Sequence, residues 1–250
     1  MNLNAMRFGR RSGPRLSLDA AASLMMIVAS VAILWSVISG RQPFGSGRTP
    51  QPVEPAVPEL PVSLSGFRLH VDPRAPLLVI EYSDFQCAYS QRFAVDTWPE
   101  VRKRFVETGR VRFAFAHLPL EEIHPAARSA AEIAECAGGQ GRFWEMHDWL
   151  FAHQRSLNDE VADDGFHRLS ASVGLNEADL RICLSTVAGS KVNDNETTAR
   201  SLGIEGTPTF LLGWIENQES VRVVRRLDGA VPFSKFEAVL EQIMAEGPPK

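Results

Sequence analysis

Cys87 stands between a short apolar run, Pro76–Tyr82, and an amphipathic stretch from about Ser90 to Thr108. A cysteine at a helix start faces unpaired backbone N–H groups and the positive end of the helix dipole. Both favour thiolate, the form that attacks a disulfide. The chain has two further cysteines, Cys136 and Cys183. In an oxidising compartment an odd number leaves room for one pair and one thiol. Gly206-Thr207-Pro208 is a turn in which proline allows a cis peptide bond, and a tight trans turn fits the same residues. Glu81, six residues before Cys87, reads on its own as an exposed strand residue.

Other chemistry finds less support. Of the six histidines (70, 117, 124, 147, 153 and 167), His147 and His153 are six apart and do not share a helix face, so no metal site is expected. Asp159–Asp164 lacks the calcium-loop pattern and reads as a solvated connection. Phe143, Trp144, Trp149 and Phe151 read as core.

The elements around Cys87 follow from hydrophobic period. Pro76–Tyr82 reads as a buried strand, and Gly66–Val71 as a preceding edge strand. The helix carries Phe93, Trp98, Val101, Phe105 and Val106 on one face and ends at Gly109. Val111–Ala116 alternates as a second strand, completing a right-handed βαβ unit. Helical spacing then recurs over Pro125–Cys136, Gly141–His153, Asp164–Val173, Glu177–Ser185 and Lys191–Leu202. Thr209–Leu212 and Val221–Leu227 read as strands and Pro232–Ala245 as a closing helix. A βαβ half, helices, and a ββα half describe an α/β domain with a central sheet.

The N-terminal sixty residues differ in character. Residues 1–19 are basic; 20–38 carry no charge, and nineteen residues at helical rise span roughly 28 Å, close to the hydrocarbon core of a bilayer. Arg7, Arg10, Arg11 and Arg15 precede them, which predicts a cytoplasmic N-terminus and a translocated remainder. A signal cleaved near Gly40 is the alternative, although signal cores are shorter. Residues 39–63 hold six prolines and read as a stiff spacer. Residues 1–62 carry a net +3 within a chain of net −4, so the main domain is acidic and offers no nucleic-acid surface.

Three stretches together resemble the DsbA-like thiol–disulfide oxidoreductases, a thioredoxin fold with an inserted helical domain. They are Tyr82-Ser-Asp-Phe-Gln-Cys-Ala-Tyr-Ser-Gln-Arg-Phe93, Phe143-Trp-Glu-Met-His-Asp-Trp-Leu-Phe151 and Gly203-Ile-Glu-Gly-Thr-Pro-Thr-Phe210, in family order. The resemblance implies a thioredoxin domain over 64–250, with a helical insertion over about 120–188. It makes Cys87 the nucleophile, with Ala88 and Tyr89 beside it. Thr207-Pro208 becomes the cis-proline edge that pairs with an extended substrate, and Glu81 the buried acid beneath the site. Relatives also imply a Cys136–Cys183 bridge; buried free thiols are the other reading.

The departure from the family is Ser90, where a second cysteine is usual. Serine cannot resolve a mixed disulfide, but its hydroxyl can donate a hydrogen bond to the Cys87 thiolate. An external thiol must then release Cys87, which makes glutathione a candidate co-substrate while no bound cofactor is expected. The resemblance, taken with the N-terminal segment, thus implies a membrane-anchored, extracytoplasmic monothiol oxidoreductase acting on client proteins with thiols or disulfides. The alternative is a thioredoxin-fold binding or chaperone-like module. A kappa-type glutathione transferase relative is a third reading, opposed by the retained Cys87.

Overall fold

The computed structural model describes residues 57, 61–63, 67–70, 75–161, 163–216 and 219–249. The basic N-terminus, the charge-free segment 20–38 and most of the spacer lie outside these residues, and so do the expectations placed on them. Among the described residues no helix is long and apolar enough to cross a membrane.

Six strands form one sheet: β1 (Val62–Ser63), β2 (Arg68–His70), β3 (Leu77–Ser83), β4 (Val111–His117), β5 (Thr209–Ile215) and β6 (Ser220–Asp228). Their spatial order is β1-β6-β5-β3-β4-β2. β3 and β4 are parallel, and the helix between them, α1 (residues 88–106), makes the crossover. All other pairings are antiparallel. Every residue of β3 is buried, as its continuous apolar run predicts for a strand covered on both faces. Val62 and Ser63, assigned above to the spacer, instead pair with Val221 and Ser220. Val62 is buried, and that packing outweighs the proline-rich composition around it.

The two faces of β3 have different partners. Leu77 and Val79 pack against Phe93, Trp98, Val101 and Phe105 of α1 and against the closing helix α8 (Phe233–Glu246). Leu78, Ile80 and Tyr82 pack on the opposite side with Ala199, Ile204 and Leu211. Glu81 follows Leu77 and Val79 by period two and therefore belongs to the α1 face.

α1 is not a uniform α-helix. Turns of π-helix at Phe93–Thr97 and Arg102–Val106 alternate with α-helix at Ala88–Arg92 and Trp98–Val101. Pro99 lacks the N–H that an α-helix would use, and the wider turn just before it absorbs the missing bond. In β5, Gly213 sits where the register with β6 shifts, and a Cβ there would come within 2.1 Å of the Arg222 carbonyl oxygen. Only glycine fits that approach.

Between β4 and β5 lie α2 (Ala127–Gly139), α3 (Phe143–Ala152), α4 (Leu157–Glu160), α5 (Asp163–Ser172), α6 (Glu177–Thr186) and α7 (Ala188–Ser201). Their core includes Phe143, Met146, Leu150, Phe151, Leu169 and Leu180, and it meets the domain through Phe85 and Phe115. A single turn of helix, α4, occupies part of the acidic stretch read above as a solvated connection. Cys136 and Cys183 form a disulfide joining α2 to α6, with Cα atoms 5.7 Å apart.

Candidate functional site

Cys87 is the N-cap residue of α1, in extended conformation at φ −69° and ψ 122°. The free cysteine of the described chain is buried, 6% exposed. The peptide bond Thr207–Pro208 is cis. It brings the Thr207 carbonyl oxygen within 3.3 Å of Cys87 Sγ. The sheet explains this meeting. Tyr82 pairs with Thr209 and Glu81 with Phe210, so the end of β3 and the start of β5 lie side by side. The loops that leave them carry Cys87 and Pro208 to the same edge.

The other expected site residues fall around this pair. Ala88 and Tyr89 are exposed beside Cys87, and the Arg92 guanidinium lies over the Tyr89 ring at 5.6 Å. Ser90 is fully buried. Among the described residues its hydroxyl oxygen accepts, at a long 3.5 Å, from the Asp84 N–H rather than donating to Cys87. The first turn of α1 carries that oxygen back under the preceding loop. Glu81 is buried too, contrary to what a lone strand glutamate suggests, and in keeping with the family reading. Burial pushes its carboxyl up to about 8 against a weaker downward pull from the nearby Ser83 hydroxyl. That hydroxyl does not complete a well-aligned bond: Ser83 Oγ and Glu81 Oε1 are both buried without a hydrogen-bond partner.

Several residues that hold the site were not singled out from sequence. Gln154 donates from Nε2 to the carbonyls of Phe85, at 2.8 Å, and Cys87, at 3.0 Å. Gln91 donates to the Phe151 carbonyl at 2.8 Å, tying α1 to α3. Gln86 accepts from the Ala126 N–H. Asp84 accepts from Gln86 N, Leu120 N and His124 Nδ1. An aspartate three residues before a helix N-cap is a turn signal, and it alone of these was legible. The glutamines act across at least forty residues of sequence and leave no local mark.

A second buried ionic group braces the sheet against the helices. Glu135 of α2 meets Arg68 of β2, with Nε contacts of 2.9 and 3.0 Å, and His117 of β4 at 3.1 Å. Burial pushes the Glu135 carboxyl up, but the hydrogen bonds and charges of His117 and Arg68 outweigh it and hold it at about 2.

Beside the cis-proline loop lies a groove of about 490 Å³, lined by residues 118–123 with Glu196, Arg200, Ile204 and Glu205. Leu118 and Ile204 of its lining are buried and Ile123 is exposed, while four glutamates outnumber Arg200, two of them paired with Arg128. No group of three or more histidine, cysteine, aspartate or glutamate side chains among the described residues could hold a metal ion.

The family model described as thioredoxin matches residues 71–227. Among curated relatives, a protein named Na(+)/H(+) antiporter NhaA 3 from Salinispora tropica is 38% identical over 157 residues, 62% of this chain and 23% of that protein. One named Na(+)/H(+) antiporter NhaA 1 from Salinispora arenicola is 33% identical over 205 residues, 80% of this chain and 30% of that one. The chain therefore spans less than a third of the length of these relatives. Among solved structures, alpha-DsbA1 of Wolbachia pipientis superposes with a TM-score of 0.64 at 21% identity, over 73% of this chain and 93% of that one. Pseudomonas aeruginosa DsbA2 gives 0.52 at 26% identity, over 74% and 96%. With its cysteine at a helix start, its cis-proline opposite and helices inserted between β4 and β5, the chain belongs to the thioredoxin family, and its fold is that of the DsbA-like members.

Proposed function

We propose that this domain exchanges thiols and disulfides through Cys87 alone, as a monothiol oxidoreductase acting on client proteins. The observation that carries this reading is the 3.3 Å approach of Cys87 Sγ to the carbonyl before cis-Pro208. A nucleophile at a helix start beside the backbone edge of a cis-proline loop can receive an extended peptide by strand addition. The Cys87 thiolate attacks a client's mixed disulfide, a Cys87 disulfide forms, and the client sulfur leaves as thiolate. With Ser90 in place of a second cysteine, an external thiol such as glutathione then attacks the sulfur of the group bound to Cys87. It takes the bound group as its own disulfide and regenerates the thiolate. Each turnover consumes one external thiol when a glutathionylated client is reduced, the other half of the disulfide product coming from the client.

The test is reduction of a glutathionylated protein by the purified chain. Turnover is expected with millimolar glutathione, none without it, and none in Cys87→Ser. A wild type that never forms a covalent Cys87 adduct sinks the reading.

We also propose that residues 20–38 anchor the chain and leave the domain outside the cytoplasm. Their charge-free length and the preceding arginines support this. The intact chain is then expected to stay in the membrane fraction at alkaline pH. Recovery of a soluble form starting near Gly40 would show a cleaved signal instead.

A second reading has its own observation, the identity to proteins named as antiporters. In it the domain is a binding module working beside an ion antiporter, and Cys87 is dispensable. Cys87→Ser that still captures a sodium/proton antiporter from solubilised membranes would favour it over the enzyme reading.

A further inference from the structure

Asp84 brings a carboxylate into the interior of the site, its side chain fully buried. Oδ1 accepts from Gln86 N at 2.7 Å, inside the turn that delivers Cys87. Oδ2 accepts from Leu120 N and from His124 Nδ1, each at 2.8 Å. Its backbone joins the same knot, since the Asp84 carbonyl accepts from Cys87 N at 3.1 Å and its N–H reaches Ser90 Oγ. A buried carboxylate is tolerated only with such donors, and charge-assisted bonds of this length are strong. Here the donors come from two chain segments. One oxygen belongs to the nucleophile's turn and the other to residues 118–124, most of which line the groove beside the cis-proline loop.

We propose that Asp84 is a positioning residue that sets the spacing between Cys87 and the groove wall, with His124 as its second anchor. A peptide lying along the groove and reaching Cys87 must match both walls at once. A small disulfide meets Cys87 alone and is indifferent to the wall. Loss of the Asp84–His124 tie therefore weakens peptide capture selectively, because misplacement of about 1 Å is enough to spoil an approach that needs two fixed points. This inference rests on the thiol-exchange reading above.

The probe is a short cysteine peptide with apolar and basic flanks, suited to the groove's leucines and glutamates, carried as its mixed disulfide with thionitrobenzoate. Cys87 thiolate attacks the peptide sulfur, the Cys87–peptide disulfide forms, and coloured thionitrobenzoate leaves as thiolate. Mercaptoethanol carrying the same leaving group is the small probe. With the intact wild-type chain, peptide capture should saturate, and capture of the small probe should rise linearly. Asp84→Asn removes an acceptor and sets an amide N–H against one of the three donors. It should raise the half-saturating peptide concentration about tenfold and slow the small probe by a clearly smaller factor, because Oδ1 also holds the turn that carries Cys87. His124→Ala should follow Asp84→Asn, whereas His124→Asn, whose amide nitrogen replaces Nδ1, should behave as wild type.

Equal losses on both probes would confine Asp84 to Cys87 itself and overturn the proposal. So would unchanged peptide capture in Asp84→Asn, or a wild type that does not saturate with peptide. If Asp84→Asn does not fold, the two His124 variants decide, and identical behaviour of that pair overturns it. A wild type whose Cys87 captures neither probe removes the thiol-exchange reading, a result distinct from all of these.

Discussion

Cys87 and Thr207 are 120 residues apart in the chain, yet the cysteine sulfur lies 3.3 Å from the threonine carbonyl oxygen. A thiol can donate to that oxygen, whereas a thiolate cannot. The attacking form of Cys87 therefore releases the Thr207 carbonyl, the same group an incoming peptide N–H would use. Under the proposed function, nucleophile and docking edge would become available together.

Replacing Ser90 with cysteine should restore an internal second step. Ser90 is buried in the first turn of α1, three residues from Cys87, so Ser90→Cys places two sulfurs at one helix start. The variant should gain dithiol oxidase or reductase activity without glutathione, about tenfold or more above wild type. Insulin reduction and oxidation of a reduced peptide measure it. A variant that forms no intramolecular disulfide would show that the scaffold no longer supports the pair.

Glu81 gives a pH test. Its carboxyl is raised from 4.5 to about 8 by burial. Between those values the unfolded chain has released a proton that the folded chain keeps, so stability falls as pH rises through that range. Glu81→Gln removes the titration and should flatten the fall, gaining on the order of a few kcal/mol relative to wild type above pH 8. Melting temperatures of the two proteins from pH 5 to 9 check this. Parallel curves would mean that Glu81 is not buried protonated.

Glu135 should act in the opposite direction and at the acid end. Its carboxyl is held at about 2, below its usual 4.5. The stability it contributes is complete above about pH 5 and is lost as pH falls toward 2. Glu135→Gln should remove that acid sensitivity. At neutral pH it should cost about 3 kcal/mol, because Arg68 and His117 lose a buried partner. Acid titration followed by circular dichroism separates this effect from that of Glu81, and a neutral-pH melting temperature equal to wild type would refute it.

The disulfide closes a loop of 47 residues, for which chain entropy predicts about 4 kcal/mol of stabilisation. A Cys136→Ala/Cys183→Ala variant should therefore melt markedly lower, while Cys87 keeps its reaction with a small disulfide. Native alkylation of wild type should label Cys87 and neither of the paired cysteines. Labelling of all three in the oxidised protein would contradict the bridge.

Much of this arrangement could be read from local pattern. The apolar run of β3, the amphipathic face of α1 and the turn at Gly206-Thr207-Pro208 each bear their own signature. All three meet at one sheet edge, which brings Cys87 and Thr207 together, while the cis form of the turn and the roles given to these residues came from family likeness. Asp84 as a double anchor was not, because the N–H of Leu120 and the ring of His124 reach it from a loop beyond β4. Gln154 was hidden for the same reason, and glutamine is unremarkable in any helix. The burial of Glu81 came from family likeness, since strand period assigns a face without saying what covers it. The π turns of α1 went unread because Pro99 marks a disturbance without saying how the helix absorbs it.

The sheet's borders carry a consequence if the proposed function holds and the domain handles client chains. β1 is two residues long and β2 three, so the outer rims offer little open backbone for another polypeptide to zip onto. A client held open for sulfur exchange has sticky strands of its own, and long bare rims would invite the pair to coalesce. Under the proposed function, short rims would leave the stretch before Pro208 as the place for a peptide to dock, one at a time, and would let the guest go once its sulfur is exchanged.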